Sequence, residues 1–377
     1  MTVPKIRIAQ QYVCADCGGI RSEYRALCVR NTLTESFELI PVELRSCHGG
    51  ISVSDIRHWY RAFRAAAPDI IHVRGAGVES LNAIIAARLA GHAKVLVTVH
   101  GMFSDLVYYP SVRRWICRHM IEPLIFSLSD GISCVSQRAA ERPIFDRHRR
   151  KMLPCVFNRM PTYPPPDPEM RKKTRDALGI PRDATVGVCV GRVTREKGLA
   201  YLTDALRLMD DPWESDLFLL LVGDGDYLPT LRDTCAGLVH ADRIILTGQT
   251  EDVLPFLRAS DFFLSCSLHE NLSIAILEAC AAGLPCLVTD VGGNTEIVRN
   301  GVNGLVIPAH SAEAIADGVR RMCIPALRAD LCRRAKQVDY SRFSDNQVDA
   351  QLRAVYEKLL ERTGGGRKHG QHRGSRL

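Results

Sequence analysis

Glu270 and Glu278 stand in an E-x7-E arrangement within SLHENLSIAILEACAAGLP (267–285), one ahead of a helical pattern and the other inside it. Two carboxylates a little over two helical turns apart suit a polyol-bearing ligand held at that helix's N-terminus, since each accepts hydrogen bonds from hydroxyl groups. An apolar strand pattern, DFFLSCS (261–267), precedes them, and Gly283 and Pro285 supply the helix stop. Spacing alone fits equally well a surface carboxylate plus a helical Glu paired with a neighbour. The other motifs shift that balance.

In VGRVTREKGLAYLTDAL (190–206), Arg192 and Lys197 lie on a predicted loop between a strand and a helix. Two cations beside a helix N-terminus can neutralise a diphosphate without a metal, and a solvated basic loop is the plainer reading. Gly292-Gly293 follows another strand, and Gly18-Gly19 in CADCGGIRSEY (14–24) follows the first. Backbone amides at such turns can approach an anion closely. His100 ends the strand pattern KVLVTVH, where a histidine is either a satisfied structural residue or a group facing a site. Asp224-Gly225-Asp226 has the D-x-D form that holds a manganese–nucleotide pair in a different sugar-transferase fold. Here it follows a buried strand, and its glycines suit a tight turn into a helix. Cys14-x-x-Cys17 has no second pair at zinc-finger spacing, so neither a metal nor redox chemistry is expected there.

The elements that must position these residues are legible as short Val/Ile/Leu-rich runs. Strands are expected at 5–10, 37–42, 69–74, 94–101 and 130–136, then at 185–191, 217–225, 243–248, 261–265, 285–290 and 305–308, with helical patterns between most of them. Near-continuous apolar runs mark parallel strands covered on both faces. Alternation with helices predicts two doubly wound, Rossmann-like α/β domains. Ligands of open α/β sheets bind at the carboxyl ends of the strands, so the two domains should face each other across a cleft. The expected division is an acceptor domain at 1–160, a Pro-rich linker at 161–168 and a nucleotide-binding domain at 169–343. An amphipathic helix at 344–362 is expected to pack back on the first domain, and the Gly- and Arg-rich tail 363–377 to be disordered.

A chain of 377 residues exceeds a single core. Its 14 cysteines are scattered singly through apolar runs, which reads as reduced, cytoplasmic thiols. The N-terminus lacks a signal-peptide pattern, and no run is long enough to span a membrane. The net charge of +7 is uneven: residues 1–160 carry about +9 and residues 361–377 about +4, leaving the middle acidic. An anionic partner for the first domain follows. No nucleic-acid-binding pattern is present, so nucleic acid is not expected. SVRRWICRHMIEPLIFSL (111–128) mixes Arg113, Arg114 and Arg118 with Trp115 and aliphatic residues, and RHRRK (147–151) adds positive charge. Such a helix suits an anionic membrane surface, or else packs on the core with a solvated face.

Taken together, the Glu270/Glu278 pair, Arg192 and Lys197, the two Gly-Gly turns and His100 resemble the retaining family 4 glycosyltransferases of GT-B fold, group 1. The resemblance runs from about residue 5 to 360 and is strongest over 185–310. It implies transfer of a sugar from a UDP- or GDP-linked donor to an acceptor hydroxyl with retention of configuration, no metal and no further cofactor. Catalytic roles would fall to Glu270, His100, Arg192 and Lys197. Glu270 would lie beside the donor sugar, and the amides of Asn271, Leu272 and Ser273 would meet its hydroxyls and phosphate. Glu278 would hold the ribose, Arg192 and Lys197 the diphosphate, and Gly19 would approach the same phosphates. His100 would lie near the sugar's reacting face. Arg113, Arg114, Trp115 and Arg118 would form an acceptor or membrane surface.

Two departures stand out. The family's Gly-aromatic pair after the first acid is Asn271-Leu272 here, so donor-sugar preference does not carry over. Where many members have an Asn-Gly-Val-Asp turn before the linker, this chain keeps Asn158 alone. The expected function is extension of a lipid-linked glycan in surface polysaccharide assembly, by a cytoplasmic enzyme peripheral to the inner membrane face. A nucleotide-sugar epimerase or hydrolase on the same scaffold, or a non-catalytic sugar- or nucleotide-binding protein, are the alternatives.

Overall fold

A computed structural model of the chain describes residues 5–13, 24, 27, 32–44, 50–91, 93–105, 110–209 and 216–362. The Cys14-x-x-Cys17 pair, Gly18-Gly19 and the basic tail 363–377 lie outside the described residues.

Among the described residues, eleven strands form two wholly parallel sheets. The first contains β1 (Ile6–Val13), β2 (Phe37–Leu44), β3 (Ile70–Arg74), β4 (Lys94–Val99) and β5 (Gly131–Cys134), ordered β2-β1-β3-β4-β5. The second contains β6 (Thr185–Val190), β7 (Leu217–Val222), β8 (Ile244–Gly248), β9 (Phe262–Ser265), β10 (Cys286–Thr289) and β11 (Gly304–Ile307), ordered β11-β10-β9-β6-β7-β8. All eleven coincide with the apolar runs of the sequence to within a few residues at either end. Strands such as edge strand β5 and the internal β9 and β10 are buried along their whole length, which is why they read as unbroken apolar runs rather than alternating ones.

Crossover helices cover the faces, and local chemistry starts several of them. Ser52 caps the Val53–Ala66 helix by accepting from the Asp55 N–H, and Asp167 caps Pro168–Ala177 through the Glu169 N–H. Between the sheets the chain runs from 153 to 167 without regular structure, as its prolines dictate. It then feeds Arg175, a buried guanidinium that donates to the carbonyls of Ala259, Arg182 and Ala184 and pairs with Asp261 at 2.9 Å. A buried arginine is tolerable only when its donors are satisfied in this way.

The last helix, Asp345–Glu361, returns to the first sheet. Val348, Leu352, Val355, Tyr356 and Leu359 pack with Ile8, Phe37, Ile70 and Leu96 in one buried cluster. Each such side chain contributes about 1.5–3 kcal/mol on burial. Arg159 and Asp349, 2.6 Å apart and both buried, fix the helix's first turns against the segment that joins the sheets.

Candidate active site

The carboxyl ends of β6, β7 and β9 open into a cleft lined by Gly191, Arg192, Val193, Lys197, Ser265, Ser267, Glu270 and Ser273, among others. Its shape is set by close backbone approaches that only glycine permits. At Gly223 (φ +144°) a Cβ would lie 1.8 Å from the Gly191 carbonyl oxygen, and at Gly225 it would lie 2.3 Å from that of Val193. The Asp224-Gly225-Asp226 turn is therefore a clamp on the loop carrying Arg192. Its carbonyl at Asp224 accepts from the Val193 N–H at 2.8 Å, and the Asp224 carboxylate caps the Gly225 N–H at 2.7 Å. Among the described residues no three acidic, His or Cys side chains gather as a metal site.

Lys197 closes a short 3-10 turn, Arg195–Lys197, and Gly198 (φ +67°) lets that turn pass over the end of β9, where a Cβ would lie 2.0 Å from the Cys266 carbonyl oxygen. The Leu268 N–H donates to the Glu196 carbonyl at 2.8 Å, tying the two loops together. This brings the Lys197 ammonium onto the Glu270 carboxylate. The Ser267 hydroxyl donates to the same carboxylate oxygen at 3.0 Å. Arg192 is more exposed and lies 3.5 Å from Glu196, a residue of its own loop.

Ser273 caps the Ile274–Ala281 helix by accepting from the Ile276 N–H, so the helix's positive end faces the same cleft. Asn271 and Leu272 are buried, and Asn271 Nδ2 has no hydrogen-bond partner among the described residues. Glu278 is on the helix as expected but does not line the cleft around Lys197. Burial raises its carboxyl to about 7. Its charge is felt by Tyr163 of the Pro-rich segment, whose phenol is pushed up by burial and then by Glu278 and Asp252.

Gly292-Gly293 also has a structural use beyond the anion approach the sequence suggests. The Gly293 N–H donates to the Asn271 carbonyl at 2.9 Å, and a Cβ on Gly292 (φ +47°) would lie 1.5 Å from the Glu270 carbonyl oxygen. The pair packs against the Glu270 loop and holds it from behind.

On the first sheet, His100 follows β4. Its imidazole is lowered to about 3 by burial and by the Arg74 guanidinium, so it is neutral at physiological pH, and its Nε2 has no hydrogen-bond partner among the described residues. It is not among the residues lining the cleft around Glu270 and Lys197. Arg113, Trp115 and Arg118 are exposed on the 111–128 helix, whereas Arg114 is half-buried with its Nε 3.4 Å from the Ser104 carbonyl. Part of the nearby basic run is structural: Lys151 donates to the carbonyls of Phe126 and Ser129, at the C-terminal end of the Glu122–Leu128 helix.

Several residues that serve the site escaped the sequence reading. Asn158, noted there only as the remnant of a turn, donates from Nδ2 to the Leu272 carbonyl at 2.9 Å and ties the two halves at the Glu270 loop. Glu296 accepts from the N–H groups of Gln137 and Arg138, and Arg138 pairs with Asp290 at 2.9 Å. Asp105, after β4, is gripped by Arg142 and lies 3.1 Å from His269. These partners are distant in sequence and carry no local motif.

Two parallel α/β sheets, with a cleft at the carboxyl ends of the second, form the layout of the GT-B glycosyltransferases. The model of the glycosyl transferases group 1 matches residues 170–338, and that of Glycosyltransferase Family 4 matches residues 23–144. The chain belongs to this glycosyltransferase family. A UDP-Gal:alpha-D-GlcNAc-diphosphoundecaprenol alpha-1,3-galactosyltransferase of Escherichia coli is 27% identical over 267 residues, covering 70% of this chain and 68% of its own. The N-acetyl-alpha-D-glucosaminyl L-malate synthase of Bacillus anthracis is 27% identical over 297 residues, covering 78% and 75%. The fold is shared with Anabaena HepE in complex with UDP-glucose, at a TM-score of 0.73 and 18% identity over 94% of this chain and all of that one.

Proposed function

We propose that this glycosyltransferase moves a sugar from a UDP- or GDP-linked donor to a hydroxyl of a lipid-linked glycan, with retention and without a metal. The observation that carries the reading is the Lys197–Glu270 pair beside the N-terminus of the Ile274–Ala281 helix. In the reaction the bond from the anomeric carbon to the diphosphate oxygen breaks, and its electron pair leaves with the diphosphate. Lys197, Arg192 and the helix N-terminus stabilise that growing charge. The acceptor hydroxyl attacks the face the diphosphate is leaving, and its proton passes to a departing phosphate oxygen. Glu270 orients the donor sugar, with the amides of Asn271, Leu272 and Ser273 beside its hydroxyls and phosphate. Glu278 accepts from the ribose hydroxyls, and neutral His100 offers a hydrogen bond near the reacting face. The E. coli relative, whose acceptor is a diphosphoundecaprenol-linked sugar, supports a lipid-linked acceptor here. The test is turnover of UDP-glucose, UDP-galactose, UDP-N-acetylglucosamine and GDP-mannose with a diphosphopolyprenol-linked N-acetylglucosamine acceptor. The anomeric coupling constant of the product reports retention, and activity in excess chelator reports metal independence. An inverted product or a strict manganese requirement would refute those parts.

Placement on the inner face of the cytoplasmic membrane is part of the same proposal. Among the described residues no helix is long and apolar enough to cross a membrane. The 111–128 segment instead exposes Val112 (71%), Trp115 (57%), Met120 (58%) and Leu124 (43%) along one stripe, flanked by Arg113 and Arg118. Exposed apolar groups at helical spacing beside cations fit an anionic lipid surface. Flotation with vesicles of phosphatidylglycerol and phosphatidylcholine should carry the protein at low salt and much less at high salt. The double variant Trp115→Ser, Arg118→Glu should stay at the bottom of the gradient with its melting temperature unchanged. Equal flotation of variant and parent would remove the membrane assignment.

A pH prediction follows from Glu278. Burial raises its carboxyl to about 7, so the charged form is disfavoured in the folded protein. The sign is that of a raised acid: this group's stabilising contribution is present at low pH and is lost as pH rises from the ordinary carboxylate range through about 7. Ribose hydroxyls need the carboxylate as acceptor, so nucleotide affinity moves the other way. UDP or GDP should bind up to about tenfold more weakly at pH 6 than at pH 8. Calorimetry on the parent and on Glu278→Gln isolates the effect from the ligand's own phosphate titration. A slope identical in both proteins would place the ribose elsewhere.

A further inference from the structure

We propose that Asp105 is a positioning residue for sugar transfer, acting from the first sheet through His269 on the stance of Glu270. The proposal rests on the reading of the Glu270–Lys197 cleft given above and adds a contribution from the first sheet to it.

Asp105 ends the 3-10 turn Phe103–Asp105 that follows β4. Arg142 grips both carboxylate oxygens, at 2.6 Å to Oδ2 and 2.5 Å to Oδ1, and the carboxylate is 9% exposed. A two-point guanidinium–carboxylate pair fixes orientation as well as charge. The turn itself is anchored from below, where the Ser104 N–H donates at 2.8 Å to the fully buried Glu122. Asp105 is thus a fixed anion presented by the first half of the molecule toward the second.

What it meets there is His269, whose Nε2 lies 3.1 Å from Asp105 Oδ2. The two groups are close but not aligned as a hydrogen bond, and Nε2 has no other hydrogen-bond partner among the described residues. Burial lowers the imidazole, with Asp105 and Glu270 opposing that and Arg142 and Lys197 reinforcing it. Nε2 of this ring therefore faces a fixed carboxylate at 3.1 Å, and a small rotation would align the two as a hydrogen bond. The ring is one peptide away from Glu270, whose carboxylate is shared by Lys197 and the Ser267 hydroxyl. Arg142, Asp105 and His269 form a continuous line from the first sheet to the peptide that carries Glu270.

This line differs from the other ties between the halves. Asn158 holds the same loop by its backbone carbonyl, and Arg138 and Glu296 meet beyond it. Only the His269 contact acts on the side chain next to the acid itself. Nucleotide contacts proposed for Arg192, Lys197 and Glu278 all lie on the second half, so losing Asp105 should leave nucleotide binding intact and disturb the chemical step. A residue that merely glued the halves would instead lower stability.

The test uses the full chain with the nucleotide sugar, among the four named above, that is turned over fastest. Asp105→Asn and His269→Gln should each lower kcat by about 10- to 100-fold, the range expected when a reacting group is misplaced by a fraction of an ångström to one ångström. KM for the donor and the calorimetric Kd for UDP or GDP should stay within about twofold, and Tm within a few degrees. Because Asp105→Asn weakens the Arg142 pair and can disturb folding, His269→Gln serves as the second variant, leaving Arg142–Asp105 untouched. The double variant should lose no more than the worse single one, since both remove one contact. Parental kcat in His269→Gln, independent multiplicative losses, or a fall in nucleotide affinity matching the fall in kcat would each overturn the proposal. Failure of the underlying site reading shows separately, as parental turnover in Lys197→Ala, and would remove this proposal with it.

Discussion

Lys197→Ala is expected to lower turnover by about a thousandfold, comparable to deleting one fixed donor from an oxyanion-stabilising site. The ammonium lies in the cleft, paired with Glu270, and no other cation of the described residues is bonded to that carboxylate. Donor diphosphate entering the cleft competes with Glu270 for Lys197, and the competition releases Glu270 toward the sugar. Alanine abolishes both effects at once: the leaving group loses its counter-charge, and Glu270 is left held by Ser267 alone. Lys197→Arg should recover only part of the loss, because a planar fork does not occupy the place of a point charge. The fold should survive, since the turn is fixed by Gly198 and the Glu196 carbonyl rather than by the lysine head group. Turnover within tenfold of the parent, at an unchanged melting temperature, would refute the assignment.

The second large effect is expected at a residue with no side chain. Gly292→Ala would place a Cβ 1.5 Å from the Glu270 carbonyl oxygen, at a φ of +47°. Backbone must move, and the segment that moves is the one bearing Glu270. A loss of about 2 kcal/mol or more in stability should accompany a loss of at least about a hundredfold in kcat. Gly283→Ala is the control. Its φ is +83°, but nothing lies within 4 Å of the added carbon, so only the local strain of about 1 kcal/mol applies and activity should persist. Equal behaviour of the two variants would show that Gly292 does not support the site.

The contrast between those glycines also shows what the sequence could and could not convey. Strands such as VGVCV and FFLS announce themselves because a parallel strand covered on both faces has no polar side to alternate with. The placement of Glu270, Arg192 and Lys197 around one cleft was legible from their positions after strand ends, whereas Glu278 does not line it. The function of Gly292-Gly293 was not: a Gly-Gly pair after a strand looks the same whether its amides meet a phosphate or a neighbouring carbonyl. Asp105, Arg142 and His269 were invisible for another reason. Their association spans more than 160 residues and depends on how two sheets face each other, and no local pattern encodes that.

The return of the Asp345–Glu361 helix to the first sheet has a consequence for biosynthesis. One face of that sheet is sealed by Val348, Leu352, Val355, Tyr356 and Leu359, which are among the last described residues to be translated. The amino-terminal half cannot complete its interior until that helix has been synthesised, whereas the second sheet has all its strands once residue 307 emerges. Maturation therefore runs against the order of synthesis, with the early half waiting, partly uncovered, for the late one.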